Sequence, residues 1–539
     1  MMQSVRCYGG FFACSARWRL TNAHCRCSWR KFTSEENSQR DLSCMLRTVL
    51  SRFNRDLFAF GQNQTRTFIS SNQTERKLIM SALEKFSPPV NKHMRVLDRA
   101  FFKKDVSLLV ASFPNPKYLG DFVKSCKDDF LLVPGIKHIV TVNGTKGVLL
   151  RADIDDMQTY KDRLSPIALE KVKQLGIEIL PYTLNLDYSY WKADDILRAV
   201  LPENLTSEIP SGFAQAGHIA HLNLRKEFKE YGELIGQVIL DKNSKIETVV
   251  DKLDSIDTKF RTFKMKVLAG KNDFVVEQSE SGCRFRFDFS SVYWNLRLST
   301  EHDRLISQFN PGEVVGDVFA GVGPFAVPAG RKNALVLAND LNPESYKYLQ
   351  ENIKLNNVQD FVKPFNLDGR EFIRSSPLRI LEWANSQGKI EKQKTVKRRR
   401  VDEQTKQPTT IKTVELINIE VPRYISNYVM NLPDSALTFL DEFIGLYTRD
   451  ESVEKIARGD PQFRLPTINV HCFEKFSSDE PEPSMQELYR RVHSRITKII
   501  DFPAPFDDFH FHLVRKVAPT KPMFCVTFQL PREVAFRKK

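Results

Sequence analysis

Val315-Gly-Asp-Val-Phe-Ala-Gly-Val-Gly-Pro-Phe325 joins a short apolar strand to a glycine turn and then to a helix that opens with proline. Gly321 and Gly323 let the backbone turn sharply and approach a ligand closely. Pro324 suits a first helical turn, where its missing N–H is no loss. Further on, Ala334-Leu-Val-Leu-Ala-Asn-Asp340 reads as the next strand and ends in an acid. A glycine loop followed by an acid about twenty residues later is the arrangement that holds a ribose beside a helix N-terminus. The loop alone says little; the acid and the pattern after it say more.

That pattern, from about residue 311 to 539, alternates strand and helix, the mark of a parallel α/β sheet. Strands are expected over 314–319, 334–339, 362–367, 428–431 and 467–473, with closing strands over 509–514 and 523–530. Helices fit 343–355, 435–446 and 484–499. One stretch breaks the rhythm: Lys389–Arg400 holds seven basic residues and ends in Lys-Arg-Arg-Arg. It reads as a basic mobile insertion over about 385–412, either a solvated loop or an element for nuclear import or RNA contact.

The whole chain has 539 residues, 41% of them hydrophobic, which is globular composition with room for several domains. A formal net charge of +14 favours an anionic partner, nucleic acid before membrane. No window approaches the apolar length of a membrane-spanning helix. Nine scattered cysteines form no disulfide framework, which points to a reducing compartment. Cys25-Arg-Cys27 has the wrong spacing for zinc, and no metal site is expected. Residues 1–34 carry six Arg or Lys and no acid, the composition of a mitochondrial transit peptide or of a basic tail, and 1–70 are set apart as a leader.

Between leader and sheet, an N-terminal α+β domain is expected over 85–204, with strands in 106–113 and 130–142 and helical spacing over 156–175. A second unit is expected over 205–310. There, His218–Arg225 leads to a charged helix, Leu234–Leu240 reads as a strand, and Cys283–Val292 alternates as a half-buried strand with its phenylalanines inward. His218 and His221 have no third ligand in sight, so packing or solvent is the better reading for both.

Asp317–Phe325, Asn339-Asp-Leu-Asn-Pro343, Asp368-Gly369 and Asn431-Leu-Pro433 follow the order and spacing of class I methyltransferases. With Tyr293-Trp-Asn-Leu-Arg-Leu-Ser-Thr-Glu-His302 and Phe260-Arg-Thr-Phe…Val-Leu-Ala-Gly270 upstream, residues 100–539 resemble the eukaryotic and archaeal tRNA (guanine-37-N1)-methyltransferase family. The resemblance implies a Rossmann-like, mostly parallel seven-stranded sheet preceded by smaller α+β tRNA-recognition domains. It implies S-adenosylmethionine as cofactor and methylation of N1 of the guanosine 3′ of the anticodon, in cytoplasmic and mitochondrial tRNAs. That methylation would support reading-frame maintenance and the first step toward wybutosine. The expected location is mitochondrial matrix, nucleus and cytoplasm, and the default state is a monomer.

The residues agree with that implication. The loop offers backbone contact to the methionine part of the cofactor, Asp340 both ribose hydroxyls and Asp368 the adenine amine. Asp317, Leu341, Gly369 and Pro433 complete the expected cofactor site. Asn431 stands where methyl and target nitrogen meet, and its carbonyl can accept from a guanine amine. Guanine N1 carries a proton at neutral pH, so a base and a donor to O6 are needed. By the resemblance these are Glu301 and Arg261, with Tyr293 and His302 lining the cofactor side. Read without it, Glu301 is a first-turn helix acid, Arg261 a solvated charge and Asp340 a helix cap. Arg225, Lys226, Lys229, Arg284 and Arg286 are the candidate tRNA contacts. Two alternatives stand beside this: an enzyme of wybutosine synthesis that transfers the aminocarboxypropyl group of the same cofactor, and a non-catalytic tRNA-binding protein.

Overall fold

The computed structural model describes residues 84–256, 260, 263–401 and 408–538. The expected leader over 1–70 and Arg261 lie outside the described residues. The first sheet is built from β1 (Lys104–Phe113), β2 (Ile139–Val142), β3 (Thr145–Leu149) and β4 (Glu178–Leu186), in the order β2-β3-β1-β4 and antiparallel throughout. Pro181 lies in the edge strand β4, where a missing N–H is tolerated. Helices Leu119–Ser125 and Pro166–Gln174 bury Phe122 and Ala168 with Leu109, Ala111 and Phe113 of β1.

A second sheet follows, β5 (Ala214–Ala216), β6 (Ile219–Leu222), β7 (Thr248–Ile256) and β8 (Phe263–Gly270), paired in chain order. Leu234–Leu240, expected as a strand, lies within the helix Gly232–Lys242. Its buried residues Leu234, Ile235, Val238 and Ile239 share one helical face. Gly236 lets that helix press on β8, because a Cβ there would meet Leu268 Cβ at 2.7 Å.

The hairpin β9 (Val275–Glu280) and β10 (Cys283–Asp288) turns Phe285 and Phe287 inward and leaves Arg284 and Arg286 exposed, as the alternation predicts. Those rings, with Leu305, Ile306 and Phe309 of the helix Ser299–Gln308 and its exit, join one apolar core with the strands that follow. The segment 275–310, expected upstream of a boundary at 310, thus packs on the same apolar core as the strands that follow it.

That domain contains β11 (Val314–Asp317), β12 (Leu335–Asn339), β13 (Val362–Phe365), β14 (Lys389–Val401), β15 (Pro408–Glu420), β16 (Asn427–Met430), β17 (Thr467–Phe473), β18 (Phe509–Ala518) and β19 (Lys521–Gln529). Seven of them form one sheet in the order β13-β12-β11-β16-β17-β19-β18. The first five are parallel, and β19 runs antiparallel to both its neighbours. β12 is buried at every residue, as a strand covered on both faces must be. The strand order reverses between β11 and β16, so a crevice opens at their carboxyl ends.

The insertion expected as a mobile loop is a ribbon: β14 and β15 pair antiparallel from Lys389↔Glu420 to Val401↔Pro408. Its second strand is rich in β-branched residues (Thr409, Thr410, Ile411, Thr413, Val414, Ile417, Ile419), which favour extended backbone whatever the charge of the first. Ile390, at its root, is buried. No helix among the described residues is long and apolar enough to cross a membrane.

Candidate active site

The turn after β11 is where the backbone is most specialised. Gly321 has φ +55° and Gly323 φ +101°, both in the region that favours glycine. At Gly323 space is also short, since a Cβ would meet Val327 Cγ2 at 2.8 Å and Leu349 Cδ1 at 2.9 Å. At Gly321 a Cβ would meet nothing within 4 Å, so that backbone faces open space. The Gly323 carbonyl accepts from the Val327 N–H at 2.9 Å, so helical bonding begins at the loop itself.

A cavity of about 250 Å³ lies beside this turn. Of the predicted residues, Tyr293, His302, Gly321, Asp340, Leu341, Asp368, Gly369, Asn431 and Pro433 line it. Asp317, fully buried, and Gly323 are not part of the wall. Phe260, the residue before Arg261, also reaches the cavity. Trp294, Asn342, Phe319 and Phe439 line it too and were not predicted.

Asp340 ends β12 and is tied at both oxygens. Oδ2 accepts from the Gly321 N–H at 2.8 Å and Oδ1 from the Asn342 N–H at 2.9 Å. Burial raises its pKa and those two N–H groups hold it back, leaving it at about 6. Asn342, rather than Asp340, caps the helix Pro343–Leu355, accepting from the Glu344 N–H at 3.0 Å. Burial and then the charge of Asp340 push the fully buried Asp317 well above the carboxylate range. Asp368 caps the helix Gly369–Gln387 and is exposed at the cavity rim. Three polar atoms of residues in this wall, Asn431 Oδ1, Trp294 Nε1 and His302 Nε2, are buried without a hydrogen-bond partner among the described residues.

Glu301 is not in the wall. It lies one residue from His302 on the helix Ser299–Gln308, 3% exposed, facing β17 and β18 instead. Arg304 grips both its oxygens, Nε to Oε2 at 2.7 Å and Nη2 to Oε1 at 2.8 Å. His471 of β17 donates from Nε2 to Oε1 at 2.8 Å, and His512 Nε2 of β18 stands 3.5 Å from Oε2. Burial alone would raise this carboxyl, but the Arg304 and His471 bonds outweigh it and hold it at about 2. His471 is fully buried, which lowers its basicity; the neighbouring Cys525 and Glu301 reverse that and raise it to about 9. His302 donates from Nδ1 to Glu280 Oε1 at 2.5 Å. Phe325, just past the loop, lies between the two histidines, with ring centroids 4.6 Å from His302 and 6.1 Å from His471.

Of the expected tRNA contacts, Arg284 is held by both oxygens of Glu277 at 2.7 and 3.0 Å, and Arg225 by Glu208 at 2.5 Å. Those two are already engaged by acids. Lys226 and Arg286 are exposed and Lys229 is half-buried.

The TRM5/TYW2 methyltransferase domain family model matches residues 276–381, which hold the predicted loop, Glu301, Asp340 and Asp368. The TYW2 N-terminal domain model matches 193–273. A Candida albicans protein named tRNA (guanine(37)-N(1))-methyltransferase is 56% identical over 456 residues, covering 85% of this chain and 100% of that one. The chain belongs to the tRNA (guanine(37)-N(1))-methyltransferase family. A Saccharomyces cerevisiae member of that family is 49% identical over 84% of this chain and 96% of its own. Among solved structures, wild-type Trm5b from Pyrococcus abyssi is similar at 22% identity and TM-score 0.48, over 78% of this chain and 99% of that one. In this family member, then, the loop, both acids and Asn431 converge on one cavity.

Proposed function

We propose that this protein transfers a methyl group from S-adenosylmethionine to N1 of guanosine 37 in tRNA. The observation that carries the reading is that one cavity, in a chain of this family, gathers Gly321, Asp340, Asp368 and Asn431 from the ends of different strands. The cofactor fits that donor set. The wall holds an unmet acceptor at Asn431 and an unmet donor at Trp294, and Asp340 is a carboxylate fixed beside the loop. When bound, S-adenosylmethionine supplies an electrophilic methyl on a sulfonium.

The chain's own residues do the rest. Asp340 takes the ribose hydroxyls, Asp368 the adenine amine, and the backbone at Gly321 the methionine end, with Tyr293, His302, Leu341, Gly369 and Pro433 closing around them. Asn431 accepts from the guanine amine and so orients the ring. The N1 proton must leave before that nitrogen can attack. Glu301 is its acceptor, and Arg261 stabilises the charge that grows on O6. A guanine in a stacked loop must be turned out to reach such a site. The upstream domains then hold the outer tRNA by shape and phosphate contacts. The substrate is the anticodon stem-loop with the outer body, and the enzyme acts as a monomer.

The test is incubation with labelled S-adenosylmethionine and unmodified tRNA bearing G or A at position 37, followed by nucleoside analysis. We expect 1-methylguanosine from the G-bearing tRNA alone; its absence overturns the reading, and an aminocarboxypropyl product would favour the wybutosine enzyme. The acid-free basic stretch 1–34 supports import into the mitochondrial matrix, with nuclear and cytoplasmic pools besides.

A further inference from the structure

The Glu301 cluster presents a contradiction that its geometry resolves. A proton acceptor needs a free lone pair facing the proton it takes. Both oxygens of Glu301 are instead covered by the Arg304 fork at 2.7 and 2.8 Å, and the carboxylate side chain is 2% exposed. In this arrangement Glu301 is ionised but closed.

The four groups around it differ in how far they can move. His471 comes from β17 and is fully buried, with its Nε2 on Oε1. Cys525 of β19 lies within 4.8 Å of both Glu301 and His471 and is fully buried as well. His512 of β18 is 38% exposed and only within 3.5 Å. Arg304, on the same helix as Glu301, is 21% exposed, so its long side chain reaches solvent while the carboxylate it holds does not. Of the two cations bonded to Glu301, Arg304 is the one with a way out. Arg297 and Arg515 stand close enough to repel each other, form no ion pair with a carboxylate among the described residues, and leave the buried Arg515 Nε unbonded there, which suits an anion. Arg515 is three residues from His512 along β18.

We propose that Arg304 gates the proton acceptor: its guanidinium locks Glu301 in the enzyme free of tRNA, and a backbone phosphate of the bound tRNA draws it away. Glu301 then keeps the single His471 bond on Oε1 and turns a bare Oε2 toward the target nitrogen. The proton of guanine N1 passes to Oε2, and the freed nitrogen pair attacks the methyl carbon as its bond to sulfur breaks. Arginine suits this exchange because its planar fork binds carboxylate and phosphate alike. Arg304 is a positioning residue, acting through Glu301. The inference rests on Glu301 being the acceptor, as read above.

The experiment measures tRNA affinity against salt concentration, and single-turnover methylation at saturating tRNA and cofactor, for the full-length enzyme and for Arg304→Gln, Arg304→Lys and Glu301→Gln. If a phosphate takes the Arg304 guanidinium, Arg304→Gln flattens the slope of log K against log salt by about 0.7–0.9, the share of one phosphate contact. Its saturated rate stays well above that of Glu301→Gln, because the acceptor is already open, and Arg304→Lys keeps the slope. An unchanged slope overturns the proposal, since Arg304 then never meets a phosphate. A saturated rate as low as that of Glu301→Gln in both Arg304 variants also overturns it, since the pair is then needed during the reaction. If Glu301→Gln itself methylates at the wild-type rate, the reading of Glu301 as acceptor fails, whatever Arg304 does.

Discussion

On the proposed reading, Asp340 makes the cofactor site sensitive to acid. A carboxylate can accept two hydroxyls only when ionised, and this one sits at about 6 in the free enzyme. Affinity for S-adenosylmethionine is therefore expected to fall as pH drops from 7 to 5, and Asp340→Asn to bind weakly at every pH; titration calorimetry across that range checks both. His471 sets an opposite limit. Its folded pKa, about 9, lies above the ordinary histidine value near 6.5. Its contribution to stability is whole below 6.5 and is lost as pH rises through 9. Thermal unfolding temperature is expected to fall between pH 7 and 9.5, with a shallower fall in His471→Gln. Glu301, held at about 2, adds stability above the usual carboxylate range that disappears only in strong acid. At this scale the sequence was readable where partners are near in the chain. Gly321, Asp340 and Asp368 betray themselves by loop, strand end and spacing. Arg304 is one helical turn from Glu301, yet an Arg three residues past a Glu is too common to signal a clamp. His471 has no local signal, because 170 residues separate it from the carboxylate it holds.

Among the elements, the helix Gly232–Lys242 and the β14–β15 ribbon were misread for opposite reasons. The helix is apolar enough on its buried side to imitate a strand, and only its packing on β8 reveals the period. The ribbon looks like a loop because charge hides the β-branched residues of its second strand. Gly236 offers a direct check: Gly236→Val would drive a branched side chain into Leu268, 2.7 Å from its own Cβ. We expect a loss of about 1–3 kcal/mol in a denaturant titration. The ribbon leaves the sheet after the helix that follows β13 and returns just before β16, so its root lies at the end opposite the cavity. Replacing residues 394–413 by a short turn is expected to leave the single-turnover rate at saturating tRNA within about twofold of wild type. A larger loss would show that the ribbon matters to the chemistry.

For the whole molecule, the seven strands of the sheet were legible from the alternation after residue 311 and the class of enzyme from the motifs that carry the resemblance, but the side on which residues 275–310 pack was not. Phe285, Phe287, Leu305 and Phe309 read as the end of the upstream unit, and they are core to the downstream one. A fragment of residues 275–539 is therefore expected to fold cooperatively and bind S-adenosylmethionine, while 311–539 loses four large core side chains and does not; calorimetry on both fragments decides it. Phe325 carries a consequence at this scale too. The ring begins the helix of the cofactor loop, yet it packs on His302 at one side and on His471, the partner of Glu301, at the other. The ring also lines the cavity, so on the proposed reading a bound cofactor would press on it directly and bound tRNA through Glu301 and His471. By linkage, the factor by which one tightens the other must be returned in kind. An enzyme built this way would meter its two substrates against each other, so that the supply of methyl donor would be felt in how firmly it holds its tRNA.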